Sequence, residues 1–589
     1  MKENKNRVGI ALAVSLVLSF LCGFAVYHSM GFVYAIADDV IMRDIASGAF
    51  TGTPDGHLIF VQYVLGWCIS RLYLINRSVD WYGFFMAGVL FLGLSVVLYR
   101  GLAARKSLRW KAVYAALTLG IFGTGLIFHA AQFEWTISAA VLGSCALYLY
   151  VTMPEEAGKG QRLLEACFIW TLLVLTFCIR YDVFFMMMPG FGIAFLWKFF
   201  RRQNGRFCIR CRELVLPAVV FLTVGWIVLT EQQAYQGEGW EEFQRFQSAR
   251  SQVYDYTGVP SYEVNPAFFE ELGLNEHEVR NLRHYALYLV DGMDAELMEA
   301  LSRESIRQSS EAQGMKAKLK AGVFLALEQL TDSEYLTVSL PALLFLLGVL
   351  VLAFPYRKKL LLPLLLFLGA EGVLWLGLGF LGRLPERVAF SMHLVLLMGL
   401  AGVCFRLWEV REENLEEAGR SLSAGHRRTL GNAVLLAGMA AFLVCAGLQW
   451  TASRKANEEK LSMDENYQLF KNACKDEADR LFFIETYAAE PVGGAKVTAN
   501  GDFRLNRCLT LGDWYTTSPL DEERFQRLGI EKAETELLEN LNAYLVVRDV
   551  EDPGFYKGYF EEKYPVCEIV CREIKVIEDR TYYLYQIQR

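Results

Sequence analysis

No Gly-x-Ser-x-Gly elbow, no His-Glu-x-x-His pair and no phosphate-binding glycine loop occurs in this sequence. Those absences remove serine hydrolases of the α/β type, zinc proteases built on a His-Glu helix, and P-loop nucleotide enzymes. Internal repeats are missing too, and with them the signature of many secondary transporters. Nor is there a strongly basic face: the formal net charge is −7, so nucleic acid is excluded as a partner. The charge is unevenly placed. Residues 452–589 hold 27 acidic against 19 basic residues, while 1–451 are near neutral with 38 against 39.

What is present is apolar sequence. Of the 589 residues 54% are hydrophobic, gathered into blocks of about 18–22, the length that crosses a hydrocarbon core of roughly 30 Å. The first is Val8–Tyr27, preceded by Lys2, Lys5 and Arg7, and it exceeds the apolar core of a signal peptide, so it reads as an uncleaved membrane helix. Further blocks follow at 81–99, 112–128, 136–152, 164–180, 183–199, 213–230, 336–354, 360–378, 388–405 and 430–448. The fold class expected is a polytopic α-helical membrane protein with about eleven membrane helices, followed by a soluble C-terminal α/β domain.

Direction follows from the basic residues. They concentrate in alternate connections, such as Arg100–Lys111, Lys198–Arg212, Arg357–Lys359 and Arg406–Arg428. Reading these as cytoplasmic places the N-terminus inside a plasma membrane and the C-terminal domain outside. The apolar stretch Leu58–Leu74 breaks this alternation if counted as a crossing, and Gln62, Ser70 and Arg71 interrupt it. Segments 38–49 and 58–75 are therefore expected as helices lying along the outer surface, within an outer loop 29–80. A second outer loop, 231–335, is too long for a plain connection and carries helical patterns. Residues 1–451 thus form the membrane domain and 452–589 the extracytoplasmic one. In the latter, strands are expected near 481–484, 508–511, 544–547, 566–571 and 582–586, with a helix near 464–480.

Once direction is set, ionisable and polar residues sort to the outer ends of the helices: Asp38, Asp39, Arg43, Asp55, His57, His129, Gln132, Glu134, Arg180, Asp182, Arg383, Glu386 and Arg387. Such groups at a helix bundle pair with one another or serve a site. Asp38-Asp39 directly follows the first helix. Adjacent carboxylates on a helix point different ways, so one can cap while the other faces a cavity with a raised pKa suited to general-base work. Cys208-x-x-Cys211 lacks a second Cys/His pair and is no zinc site by itself. Cys474, Cys508, Cys567 and Cys571 permit one or two disulfides, Cys474–Cys508 being one pairing. Gly512-Asp513-Trp514, after a strand, reads as a turn.

A first helix with Asp-Asp at its outer end, a first outer loop with surface helices, a many-helix bundle and an outer soluble tail together resemble the GT-C superfamily of membrane glycosyltransferases. The resemblance implies a sugar transferred, with inversion, from a polyprenyl-phosphate carrier to a glycan, lipid or protein acceptor on the outer face. It assigns the base or acceptor-binding acid of the first outer loop to Asp38 or Asp39. It also implies polar substrate contacts from the second short outer loop, here His129, Gln132 and Glu134. Arg383 and Arg387 of Gly-Arg-Leu-Pro-Glu-Arg, then Arg180, suit the lipid phosphate. Arg43, His57, Asp182 and Glu386 complete the substrate-binding set. No cofactor is expected; some members use a divalent metal, for which the sequence offers no ligand cluster beyond the acidic pair. The alternatives are a lipid-linked flippase or transporter, for which Glu371 is the one acidic residue deep within a block, and a non-catalytic membrane assembly protein.

Overall fold

The computed structural model describes residues 2–104, 107–154, 158–203, 206–312, 315–331, 346–349, 361–382, 384–417, 422–486 and 495–588. Among them nine helices are long and apolar enough to cross a membrane: Arg7–Met30, Trp81–Ala104, Trp135–Thr152, Lys159–Ile179, Tyr181–Phe199, Cys211–Ala234, Leu362–Phe380, Glu386–Glu409 and Asn432–Asp476. The expected span at 112–128 is present as the helix Leu108–Gly125, which opens with Arg109 and Lys111, breaks at Leu126 and resumes as the short helix Ile127–Ala131. The expected span at 336–354 falls largely outside the described residues. Trp135–Thr152 lies at the centre of the bundle and is buried along almost its whole length.

One end of the bundle is closed by the segment between the first two spans. Val33–Tyr34 pairs in parallel with Gln132–Phe133, and Val33 also bridges to Lys496 of the C-terminal region. The Tyr34 N–H donates to the Ala495 carbonyl at 3.1 Å and the Val497 N–H to the Phe32 carbonyl at 2.9 Å. This clasp sets where the next helix, Ala37–Ser47, begins. That helix stops at Gly48, whose φ of +82° is left-handed and whose position leaves no room for a Cβ beside the Thr53 backbone. Tyr63–Ile75 follows as a helix of 13 residues. At about 1.5 Å per residue it spans roughly 20 Å, short of a crossing.

The chain then differs from expectation at 449–463. The last apolar span and the first helix of the soluble domain are one continuous helix, Leu422–Asp476. Between them the sequence has neither proline nor glycine, and Arg454–Glu458 and Lys455–Glu459 pair at i, i+4. The division placed at 451/452 lies inside this helix. Beyond it stands a five-stranded mixed sheet in the order Cys508–Thr510, Leu481–Ile484, Ala543–Arg548, Arg580–Gln588, Glu568–Ile577. The first three strands run parallel and the last two antiparallel to their neighbours. Helices Pro519–Leu528, Ala533–Glu539 and Phe555–Lys563 accompany the sheet. The 231–335 region forms its own apolar cluster around Phe246, Phe269, Val279 and Met298. It touches the soluble domain through the Tyr288 N–H, which donates to the Leu511 carbonyl at 2.9 Å.

Candidate functional site

Ile36 is the N-cap of the helix Ala37–Ser47, so neither aspartate caps it; both lie in its first turn, where the helix dipole favours negative charge. Their surroundings then diverge. Asp39 is fully buried: its Oδ1 accepts the Tyr82 hydroxyl at 2.6 Å and its Oδ2 the Trp135 N–H at 3.3 Å. It ties the helix Ala37–Ser47 to the starts of Trp81–Ala104 and Trp135–Thr152. Burial pushes its carboxyl well above the ordinary value, against the pull of the Tyr82 hydroxyl. Asp38 faces the other way, into a cavity of about 250 Å³. Burial raises its carboxyl as well, while the charges of Arg387, Arg250 and Arg180 draw it back down.

That cavity lies between three distant stretches of chain. The helix Ala37–Ser47 contributes Asp38 and Asp44, the 231–335 region Tyr285, and the soluble domain Lys471, Asp513 and Arg524. Asp44 is its structural anchor. The carboxylate accepts Arg43 at 2.7 Å, Lys471 at 3.1 Å and the Asn506 amide at 3.0 Å, all buried. Although burial opposes ionisation, Arg43 and then Lys471 outweigh it and hold Asp44 below the ordinary carboxylate range. Asp513 belongs to the stretch read from sequence as a turn; here it lines the cavity, and Trp514 beside it packs at 4.6 Å on Phe60. Cys474 and Cys508, one of the pairings the sequence permits, are buried free thiols, and Cys508 lines the cavity.

On the bundle side of Asp38 a second group is brought up. Glu134 is buried, with Arg387 at 3.7 Å. Burial raises its carboxyl and Arg387 lowers it. Arg180 stacks 4.0 Å over the Trp135 ring and pairs with Asp182 at 3.3 Å. Asp38, Glu134, Arg180 and Arg387 therefore gather at one end of the bundle.

Other expected residues are elsewhere. Arg43 is committed to Asp44 and to the faces of Tyr34 and Phe503, both at 5.4 Å, away from the open cavity. His57 joins Asp55 at 2.7 Å and the Ala234 carbonyl at 3.1 Å and stacks on Trp240 at 4.9 Å, tying the loop to the end of the membrane helix Cys211–Ala234. Burial lowers its pKa, but Asp55 outweighs that and leaves it raised. His129 is packed on Phe390 at 4.1 Å, and burial holds its pKa down at about 4. Gln132 is buried, with its backbone paired to Val33. Asp182 and Glu386 point to the exposed surface, and Arg383 lies outside the described residues. The residues missed from sequence are Asp44, Arg250, Tyr285, Lys471, Asp513 and Arg524; the one signal for any of them was the position of Asp513 after a strand.

Among the described residues no group of three or more His, Cys, Asp or Glu side chains is gathered closely enough to hold a metal ion. Within the bundle a separate apolar cavity of about 210 Å³ lies between Trp81–Ala104, Leu108–Gly125, Trp135–Thr152 and Glu386–Glu417, lined by Trp110, Tyr114, Phe122, Cys145 and Trp408.

Fold and site together define a polytopic membrane protein whose soluble α/β domain closes a polar cavity over one end of the bundle. No protein-family model matches the chain, and no curated protein matches it. Among solved structures it is similar to the crystal structure of ArnT from Cupriavidus metallidurans bound to undecaprenyl phosphate, with 11% identity, a TM-score of 0.37 and 97% of each chain covered.

Proposed function

We propose that this chain is a GT-C-type glycosyltransferase that moves a sugar from a polyprenyl-phosphate carrier to a hydroxyl acceptor on the outer face of the membrane. The observation that carries the reading is the placement of Asp38. It is a carboxylate in a polar cavity at one end of the bundle, and the charges of Arg387, Arg250 and Arg180 act to keep it ionised.

The chemistry is one displacement. Asp38 takes the proton of the acceptor hydroxyl as that oxygen bonds to the anomeric carbon; the bond from that carbon to the carrier phosphate breaks, and the configuration inverts. The leaving phosphate stays on the lipid. Arg387 and Arg180 come from the bundle at the membrane edge, and guanidinium groups match phosphate oxygens with paired N–H donors. Glu134 holds Arg387 in place. Asp39 is a positioning residue that fixes the helix bearing Asp38. The apolar cavity among the membrane helices has the chemistry to hold isoprenoid.

The test is transfer from polyprenyl-phosphate sugars by membranes holding wild type, Asp38→Asn or Arg387→Gln at matched amounts. Loss of a positioned base lowers kcat by about 10²–10⁴-fold, so Asp38→Asn is expected to fall in that range. A variant that keeps the wild-type rate removes Asp38 from the mechanism. One observation favours a second reading, a lipid-linked flippase. Glu371 is buried in the middle of the apolar helix Leu361–Phe380, where carboxylates mark translocation paths. Lipid translocation without sugar transfer, abolished by Glu371→Gln, would establish it instead.

A further inference from the structure

Arg524 sits on the helix Pro519–Leu528 of the soluble domain and is 3% exposed. Its guanidinium lies 4.6 Å over the Phe50 ring and 5.8 Å from that of Tyr515. Among the described residues no carboxylate is within ion-pair distance of it. Its two hydrogen bonds, to the Tyr515 hydroxyl and the Cys508 carbonyl, are both long at 3.4 Å, and its Nε has no partner. Of the acids on its own helix, Asp521 is occupied by the Tyr288 hydroxyl at 2.7 Å, with burial raising its pKa to about 7, and Glu523 pairs with Arg527 at 2.9 Å.

A guanidinium is always charged, and a buried charge left unpaired costs several kcal/mol. The other cations nearby are met: Lys471 by Asp44, and Arg250 by the Tyr285 hydroxyl at 2.6 Å and Asp255 at 3.8 Å. Arg524 is not, and it faces the cavity that Asp38 also lines. The aromatic faces hold its planar fork in one orientation, so little freedom is left to lose when an anion arrives.

We propose that this cavity is the acceptor subsite and that Arg524 receives an anionic group of the acceptor, a phosphate or a carboxylate, while the attacking hydroxyl lies toward Asp38. This rests on the transferase reading above. At about 250 Å³ the cavity is smaller than the roughly 300–1,000 Å³ that encloses a drug-sized ligand. It therefore takes one ring or one charged head of a larger acceptor, not an oligosaccharide.

The experiment is saturation-transfer NMR on the full chain in detergent micelles. The probes are methyl β-glucuronide for a carboxylate, glycerol 3-phosphate for a phosphate, and methyl β-glucoside as the uncharged control. A hydrogen bond to a charged group contributes about 1.5–3 kcal/mol, so one anionic probe is expected to bind about tenfold or more tightly than the glucoside. Whichever anion binds identifies the source. Arg524→Met keeps the packed stem and is expected to abolish the preference, with Arg524→Lys restoring part of it. Arg387→Gln tests the alternative seat for the anion, the arginine assigned to the carrier phosphate.

Equal binding of charged and uncharged probes to wild type overturns the proposal without any variant. So does a preference that survives Arg524→Met, or one that disappears in Arg387→Gln. Probe binding needs no transfer, which separates the two readings: anion binding at Arg524 in a chain that transfers no sugar defeats the transferase, not the site. Transfer with an acceptor KM that Arg524→Met leaves unchanged defeats the site and spares the transferase.

Discussion

An aspartate surrounded by water is ionised well below neutral pH, with an ordinary pKa of about 3.9. Asp38 is not so surrounded: burial raises its pKa, and Arg387 is the largest of the charges that lower it again. If it is the base, activity appears only as pH rises through that raised value. The acid limb of kcat/KM is therefore expected above the ordinary carboxylate range, and Arg387→Gln should move it further up, because a stabilising positive charge is gone. A pH–rate profile of both proteins reads this; a limb that stays put or moves down shows that another group titrates. Asp44 carries the opposite sign. Its pKa is depressed by Arg43 and Lys471, so its contribution to stability is present above the unfolded value of about 3.9 and is lost as pH falls toward the folded one. Asp44→Asn should flatten that acid slope and destabilise by about 3–5 kcal/mol, since two buried cations lose their partner. Thermal melts from about pH 7 down to about pH 2 measure both effects, because the loss begins near the ordinary value of about 3.9 and continues below it.

The same residues show how far side-chain roles can be read from a chain alone. That Asp38 or Asp39 would face a cavity followed from adjacency on a helix, but which one depends on Tyr82 and Trp135, which approach from other helices. Arg43 and His57 have the right chemistry and the right neighbourhood, yet each is spent on a contact that composition does not announce.

Elements were more legible than residues because their signals are local. Apolar blocks of membrane length and period-two strands persist whatever packs against them. The continuity of Leu422–Asp476 was the exception at this scale: a polar stretch between two helices reads as a linker unless its lack of proline and glycine is weighed. A proline there is expected to uncouple the two parts. Lys455 is exposed, so Lys455→Pro removes little packing but costs about 3 kcal/mol or more through the lost hydrogen bond and clash. Gly512 makes a related point. Its φ is +152°, and a Cβ there would lie 2.6 Å from the Leu287 nitrogen and 2.7 Å from the Tyr285 carbonyl oxygen. Gly512→Ala must push the 231–335 region off the soluble domain, and faster proteolysis of that region at unchanged membrane insertion is the expected result. Unchanged protection would mean that the two elements do not meet as closely as the backbone indicates.

At the scale of the whole molecule the two halves of the site have different owners. Arg180, Arg387 and Glu134 are supplied by the bundle, whereas Lys471, Asp513 and Arg524 come from the soluble domain and are brought in by contacts such as Lys471–Asp44, 427 positions apart. No local pattern encodes such a contact, which is why the cavity wall was not read from the sequence. The division has a consequence for partial damage. Loosening the domain with Lys471→Met removes one buried partner of Asp44 but leaves Arg43 on it, and the bundle residues are untouched. Carrier binding and sugar transfer should then separate: affinity for a polyprenyl phosphate should stay within about twofold of wild type, while transfer falls by about tenfold or more, as expected when a buried charge pair is broken. Titration of the purified variant with the carrier, alongside initial rates of transfer, supplies both numbers. If carrier affinity falls in step with transfer, the soluble domain is part of the donor site, and the assignment of the lipid phosphate to Arg180 and Arg387 alone is wrong.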